Sequence, residues 1–473
     1  MTRFLLLAIL AGQGEPTDGE LIRAIIDNTE PLEAPRGERL PLYVWPAHAL
    51  GTTDEDELVE ILTALEARGM AAIASWKPND AGALEDALRL ARLQERLGLP
   101  ISVSATSSTY GFFNGDPQTA HVDADGNPFF DESIQTERRM GCPFALDHRI
   151  PEMRERITSA VNAYAAAGVD LDFVYADWEI DGPLEWNGAW EHSKRCERCR
   201  RHVPKIEDFR SFQNAIRHKR AELQKKMLAE PVLAVFPDAL VGNYGVYPHD
   251  GFRYWVDYFE ELPEGPPYVV EGRAHYREWY DEFPETGFTF AMATTYPWYD
   301  TWGWYDFESA DYRWFYNMLL VGTNVARSTA ASTPIVTFVH WHTTEPPPEP
   351  DPSVQQLSKE KYQEFLWHLL LRGHDALFLW SPRHEALEET LLVHQVYRDS
   401  HAYRELLREG EPITFDVPSS PGPVVSALRR GSQLLVIRSD FDDTREAITL
   451  EWEDRTIEVP RRSGPQLLSL SQR

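Results

Sequence analysis

Two carboxylates stand out by position. Asp177 and Glu179 are two residues apart at the end of Val169-Asp170-Leu171-Asp172-Phe173-Val174-Tyr175-Ala176, an apolar run opened by the small-residue turn Ala167-Gly168. Successive side chains of a strand point to opposite faces, so Phe173, Tyr175, Asp177 and Glu179 share one side. The two acids then lie about 7 Å apart along the backbone, where the strand gives out. Such a pair suits acid/base work on a glycosidic bond, one member protonating the leaving oxygen while the other carries negative charge. Their mutual repulsion raises the pKa of one of them. The bland alternative is two solvated loop acids in a chain with 75 acidic residues. It fits poorly with a preceding strand this apolar.

The elements that must position these acids alternate in type. Short apolar runs at Leu40–Trp45, Ala71–Trp76, Ile101–Ser104, the acid strand, Asp238–Gly245, Phe288–Thr294, Pro334–Val339 and Ala376–Trp380 read as strands. Helices are expected from a Thr53–Asp56 capping box to Arg68, and at Leu84–Leu97, Pro151–Ala167, Ile206–Leu228 and Ser358–Leu371, with a last one running to about Arg408. Eight such units predict an α/β fold, a (β/α)8 barrel of the triosephosphate isomerase type, over residues 35–408. An open doubly wound sheet is the alternative, but no Gly-rich phosphate loop follows the first strand. From Gly410 the texture changes to short alternating runs, which predict a small antiparallel β-sandwich over 410–473. Residues 105–148 form a long Gly-, Asn-, Asp- and aromatic-rich stretch expected to cover the carboxyl ends of the strands.

A barrel gathers its site from those ends. The candidates are Asp177 and Glu179 with Trp45, Trp76, Tyr175, Tyr244, Tyr247, Tyr296, Trp298, His340, His342 and Trp380. The set is acids, aromatics and His, with no Ser nucleophile elbow and no evident metal cage. Aromatic faces stack on sugar rings, and a raised-pKa carboxylic acid can protonate a leaving oxygen.

Composition agrees with a soluble chain of 473 residues, 42% apolar and 26% charged. A net charge of −29 argues against nucleic acid and anionic membrane surfaces as partners and weighs against a strongly anionic polysaccharide, while the aromatic strand ends suit an oligo- or polysaccharide. The N-terminus, Met1-Thr2-Arg3 and then eight apolar residues, resembles a minimal signal peptide over residues 1–14. Secretion or a periplasmic location is the expectation it carries, with the cytoplasm if the run is a frayed strand. No run is long enough to span a membrane. Three Cys make no disulfide framework. His192-x3-Cys196-x2-Cys199-x2-His202 has metal-like ligand types, but it occupies one short segment, whereas structural zinc draws on separated elements. A local disulfide or free thiols is the expectation there, with neither metal nor cofactor required.

Five short motifs resemble, in order, those of the hyaluronidases, glycoside hydrolase family 56. Val44-Trp45-Pro46-Ala47 is similar to that family's Val-Trp-Asn-Ala, and Asp177-Trp178-Glu179 matches its catalytic Asp-Trp-Glu. Gly242-Asn243-Tyr244-Gly245-Val246-Tyr247-Pro248 resembles its Trp-Gly-Tyr-Tyr run before a Pro. Thr295-Tyr296-Pro297-Trp298-Tyr299 and Leu379-Trp380 resemble its Leu-Tyr-Pro-Ser-Ile-Tyr and final Leu-Trp. Asp-x-Glu is also similar to the chitinase signature, whose preceding Asp is here Tyr175. The resemblance implies retaining, substrate-assisted cleavage of an N-acetylhexosamine-containing glycan. Glu179 would be proton donor, and Asp177 and Tyr296 would hold the acetamido group. The chain differs in Pro46, in its acidity and in lacking the family's disulfides. Three alternatives follow: a two-carboxylate glycosidase on a non-acetylated glycan, a carbohydrate-binding pseudoenzyme, and a metal-dependent hydrolase using His340 and His342.

Overall fold

The structure is a computed structural model, described for residues 16–470 apart from 48–49, 110–113, 134–136, 180–183, 185–186, 255–276, 279, 345–348, 350, 444–445 and 454. The signal peptide expected over residues 1–14 lies outside the described residues. The chain is mixed α/β, with two parallel sheets and a C-terminal antiparallel sheet.

One parallel sheet runs Thr294–Thr295, Val336–Val339, Ala376–Leu379, Leu42–Val44 and Met70–Ala71; the other runs Ile73–Ser75, Ser102–Ser104, Phe173–Ala176 and Leu240–Asn243. The second expected strand therefore serves both sheets, Met70–Ala71 pairing with Leu42–Tyr43 and Ile73–Ser75 with Ser102–Ser104. The sixth expected strand is only partly a ladder. Thr289 N–H donates to Val241 O at 2.9 Å, while Ala291 bridges Ile335, so Phe288–Ala293 bonds in turn to neighbours in both sheets.

Helix starts follow the caps. Asp54 accepts the Glu57 N–H and begins Glu55–Glu66, later than the expected Thr53 start. Asp80 begins Ala81–Leu97 and Ser358 begins Lys359–Leu371. Gly168 takes a left-handed φ of 71° to end Ile150–Ala167, a conformation open to Gly at no steric cost. The expected Ile206–Leu228 helix is Phe209–Gln224 followed by a π-turn over Lys225–Ala229. Among the described residues, two helices of more than ten residues lie where the sequence suggests none. Asp18–Asn28, closed by a Thr17–Glu20 capping box, buries Leu21, Ile22 and Ile25. Ala310–Ser328 is apolar on most sides because most sides are buried, so it lacks the polar stripe that marks a surface helix.

Between the strands lies an aromatic layer. Tyr43, Phe173, Phe290, Phe338 and Phe378 stack in series, with centroid distances of 4.1 Å for Tyr43–Phe173, 4.8 Å for Phe173–Phe290 and 4.9 Å for Phe338–Phe378. Gly242 leaves room for it: a Cβ there would come within 2.6 Å of the Phe290 ring. Phe173, Phe338 and Phe378 each stand two residues before a candidate site residue, so the layer is the floor beneath the site.

At the C-terminus, Glu411–Pro412, Val424–Arg430, Gln433–Ser439 and Gln466–Ser469 form one antiparallel sheet, and Ile448–Trp452 pairs with Arg455–Val459. Ile413–Val417, expected as a strand, is not one beyond the Ile413 N–H bond to Ala427 O. Alternation divides the sheet's two faces. Leu434 and Val436 pack with Ile457 and Val459, while Leu435 and Ile437 join the main core of the chain. His368, on Lys359–Leu371, bridges Ser426 at 2.7 Å and Ser439 at 3.0 Å, and Arg372 donates to Ser426 at 2.8 Å.

Candidate functional site

The acid motif leaves its strand under close control. Asp177 N–H donates to Thr106 Oγ1 at 2.9 Å. Asn243 Oδ1 accepts the Trp178 N–H at 2.9 Å, and its Nδ2 donates to the Trp178 carbonyl at 3.1 Å. Arg220 donates to the same carbonyl at 3.1 Å and is itself ion-paired with buried Glu282 at 2.8 Å. Trp178 is fully buried on the far face, among the apolar residues between sheet and helices. Asp177 and Glu179 flank this anchored residue, and both are partly exposed.

Burial dominates the electrostatics. It pushes the Asp177 carboxyl up to about 7, and Asp177 Oδ1 has no hydrogen-bond partner among the described residues. The Tyr175 phenol beside it is raised well above its ordinary range by burial, with the Asp177 charge adding to the shift. Tyr296 donates its hydroxyl to Tyr244 at 2.7 Å. Burial raises the Tyr244 phenol too, and Tyr296, Glu179 and Asp177 add to it, which places both acids within electrostatic reach of the tyrosine pair.

Six expected aromatics and histidines ring this point. Trp45 meets Tyr175 edge-on at 5.5 Å, and Tyr296 contacts Trp380 at 6.0 Å and His340 at 5.9 Å. Tyr244 rests on Phe338 at 5.1 Å. Trp45, Tyr244 and Trp380 are half-buried, leaving part of each ring to solvent. A cleft of about 900 Å³ opens alongside, with Trp45, Ser75, Lys77, Ser104, Thr106 and Tyr175 in its lining.

His340 and His342 share one anchor that the sequence did not reveal. Glu389, buried on Ala386–Ser400, accepts from His340 Nδ1 at 2.9 Å and the Trp341 N–H at 3.0 Å. It also accepts from the His342 N–H at 3.1 Å and His342 Nδ1 at 2.7 Å. Burial alone would raise this carboxyl, but these donors hold it below the ordinary range. His340, Glu385 and Glu389 are close enough together to hold an ion. Both Glu389 oxygens are nevertheless already engaged, which fits a positioning network better than a metal cage.

Three expected residues are placed elsewhere or differently. Trp76 is fully buried on the helix side of its strand, 5.7 Å from Tyr164, because the strand's alternation turns it outward. Tyr247 is buried next to His249, 6.1 Å away, with Arg253 acting on its hydroxyl. Trp298 is buried and its backbone bridges Thr344. Thr106, Asn243, Arg220, Glu282 and Glu389 are the supporting residues that sequence reasoning missed. Asn243 had one usable signal, its place at the end of the strand adjoining the acid strand.

No family model matches the chain, and no curated protein matches it in sequence. Solved structures similar to it include the alpha-L-fucosidase isoenzyme 2 from Paenibacillus thiaminolyticus, at 11% identity over 74% of this chain and 47% of that one, with a TM-score of 0.41. A GH36 alpha-galactosidase from Geobacillus stearothermophilus is 10% identical over 95% of this chain and 58% of its own, with a TM-score of 0.46. A beta-galactosidase from the psychrophilic Marinomonas ef1 is 13% identical over 79% and 62%, with a TM-score of 0.44. The chain spans about half the length of the first of these, 47%.

Proposed function

We propose that this chain is a glycoside hydrolase whose reacting groups are Asp177 and Glu179. One observation carries the reading: the Asp177 carboxyl, raised to about 7 by burial, stands over an aromatic floor beside the Tyr296–Tyr244 phenol pair. A half-buried carboxyl whose pKa is raised toward neutrality, next to a second acid, suits proton transfer to a glycosidic oxygen. The part-exposed faces of Trp45, Tyr244 and Trp380 suit a sugar ring, so an oligo- or polysaccharide is the proposed partner.

The framework proposed for this chemistry is a closed (β/α)8 barrel over residues 35–408, followed by a β-sandwich module over 410–473. The shared segment 70–75 and the Thr289–Val241 hydrogen bond support it, since they link the two parallel sheets on both sides. The acids then stand at the carboxyl ends of the strands.

The finer proposal follows the hyaluronidase-like motifs. Glu179 protonates the leaving oxygen, and the substrate's own acetamido oxygen attacks the anomeric carbon with retention. Asp177 and Tyr296 hold the acetamido group. The raised Asp177 pKa favours a second reading, in which Asp177 is the acid and Glu179 the nucleophile or base on a sugar without an acetamido group.

Aryl glycosides of N-acetylated and plain sugars separate the two. Turnover confined to N-acetylhexosaminides, with inhibition by a thiazoline analogue, supports substrate assistance. A fluorosugar adduct on Glu179, found by mass spectrometry without thiazoline inhibition, supports the second reading. Glu179→Gln and Asp177→Asn should each lower the rate by about 10²–10⁴. Full activity in both variants defeats the hydrolase reading, and sugar binding without turnover would mark a carbohydrate-binding protein.

A further inference from the structure

The three cysteines of the chain are buried together. Cys142 Sγ lies 3.3 Å from Cys199 Sγ, and Cys199 Sγ lies 3.9 Å from His121 Nδ1. With Cys196, these four ligand atoms are all within 4.8 Å of one another, and all four residues are buried. We propose that His121, Cys142, Cys196 and Cys199 bind one structural Zn²⁺ in a tetrahedral Cys3His site.

The ligand set comes from three separate elements, as a closed structural site requires. His121 is on a small hairpin, His121–Val122 paired with Pro128–Phe129. Cys142 precedes the turn Pro143–Ala145, and its N–H donates to Thr119 O at 2.7 Å, which holds it beside the hairpin. Cys196 sits between the short helices Trp190–Arg195 and Glu197–His202, and Cys199 is one turn on in the second. The Cys-x2-Cys spacing thus brings two thiols to one point from a helix start.

Size fits the ion. Zinc–sulfur bonds of about 2.3 Å and zinc–nitrogen bonds of about 2.0 Å give a tetrahedral S···S edge of about 3.8 Å and an S···N edge of about 3.5 Å, each within about half an ångström of the separations above. The surroundings fit as well. Phe129 stacks on the His121 ring at 5.0 Å and 14°, which fixes the ring plane, and Val203, Ile206 and Phe144 help to close the cluster against water. His121 Nε2 has no hydrogen-bond partner among the described residues, so its one polar engagement is with the thiols.

Charge is consistent too. Binding Zn²⁺ releases three thiol protons and leaves a centre of net charge −1. The segment around it carries Lys194, Arg195, Arg198, Arg200 and Arg201 in an otherwise acidic chain. Arg195 lies over the Phe129 ring at 4.7 Å, and Arg198 reaches Ala120 O at 3.5 Å. A Cys142–Cys199 disulfide would leave the Cys196 thiol and the His121 ring buried without a role. The two flanking histidines take no part: His192 pairs with Asp131 at 3.0 Å, and His202 stacks on Phe144 at 4.7 Å.

The site would fasten the long 105–148 segment to the insertion that follows Asp177 and Glu179. It closes loops of 57 and 78 residues, and cross-links over such spans restrict the unfolded chain strongly.

The test is metal analysis of the 473-residue chain, purified without chelator from zinc-supplemented culture. We expect about one zinc per chain, an X-ray absorption shell of three sulfurs and one nitrogen, and three thiols that react quickly only after chelation. Cys196→Ser and Cys199→Ser should lose at least nine-tenths of the zinc, while His202→Ala, with its ring outside the cluster, should keep it. If the cysteine variants do not fold, the wild-type stoichiometry and scattering shell still decide. Zinc-free protein whose reduced form takes up no added Zn²⁺, a Cys142–Cys199 disulfide in zinc-grown protein, or a shell without sulfur would each overturn the proposal.

Discussion

Asn243 grips the peptide units on both sides of Trp178, accepting from its N–H at 2.9 Å and donating to its carbonyl at 3.1 Å. The side chain replaces the ladder hydrogen bonds that stop when the strand ends, and it does so between the two acids. Asn243→Ala leaves a buried donor unpaired, at a cost of about 1–3 kcal/mol. The carbonyl keeps Arg220. We expect a lower melting temperature and at least a tenfold lower kcat, with KM moved less. An unchanged kcat in a folded variant would show that the acids do not need this clamp.

Asp177 sets a pH dependence whose sign follows from its raised pKa. Its folded value of about 7 lies above the ordinary 3.8, so between those values the native state holds a proton that the unfolded chain has lost. Stability from this group is therefore greatest at low pH and is lost as pH rises toward about 7, with no further change above. Asp281 and Asp375, both raised to about 6 by burial, act in the same direction. Asp177→Asn should remove the slope between about pH 6 and 7 and reduce the slope below pH 6, where Asp281 and Asp375 still act. Denaturant unfolding at a series of pH values measures it; identical slopes in variant and wild type would refute the assignment.

The strand order around the acids was legible because each strand is a short apolar run with a Gly or a capping residue beside it. The site was legible to the extent that it is built on alternation: Tyr43 and Trp45, Phe173, Tyr175 and Asp177, Phe338 and His340, Phe378 and Trp380 each place a floor residue below a site residue. Trp76 shows the limit of that logic. Its strand ends like the others, but Trp76 packs on the helix side, and nothing local announces the face. Helix Ala310–Ser328 was hidden because burial on most sides erases the polar stripe that marks a helix. Glu389 and the Cys142–Cys199 contact were hidden by distance. Their partners lie 47–49 and 57 residues away in the chain, and no periodicity spans such gaps.

Removal of the C-terminal module should unfold the rest. Val424, Leu428, Leu435 and Ile437 belong to the main core, and His368 and Arg372 hydrogen-bond Ser426 from below. A chain ending at residue 409 would expose this apolar face, take both partners from His368 and leave Arg372 with Thr323. We expect aggregation on expression. A soluble fragment with full activity would show the module to be dispensable.

Glu389 governs the charge of His342. Burial pulls the imidazole pKa down, but the 2.7 Å hydrogen bond that His342 Nδ1 donates to Glu389 and the nearby Glu385 and Glu388 outweigh it, and the net shift is upward. A histidine whose folded pKa is raised stabilises the protein fully below its unfolded value of about 6.5, and that stabilisation is lost as pH rises through the folded value. Glu389→Gln keeps the shape, removes the charge and turns one acceptor into an NH2 that faces N–H donors, so its melting temperature should lie below wild type at every pH, by the widest margin at pH 5–6 and a narrower one above pH 8. The His342 resonance followed by NMR should titrate at lower pH in the variant. Glu389→Ala, which takes the acceptor from the Trp341 N–H and from His342 and leaves His340 Nδ1 only the Trp380 carbonyl, should be worse at every pH, by about 3–5 kcal/mol. A melting gap independent of pH in Glu389→Gln, with an unmoved His342 titration, would show that this carboxylate holds the loop by shape alone.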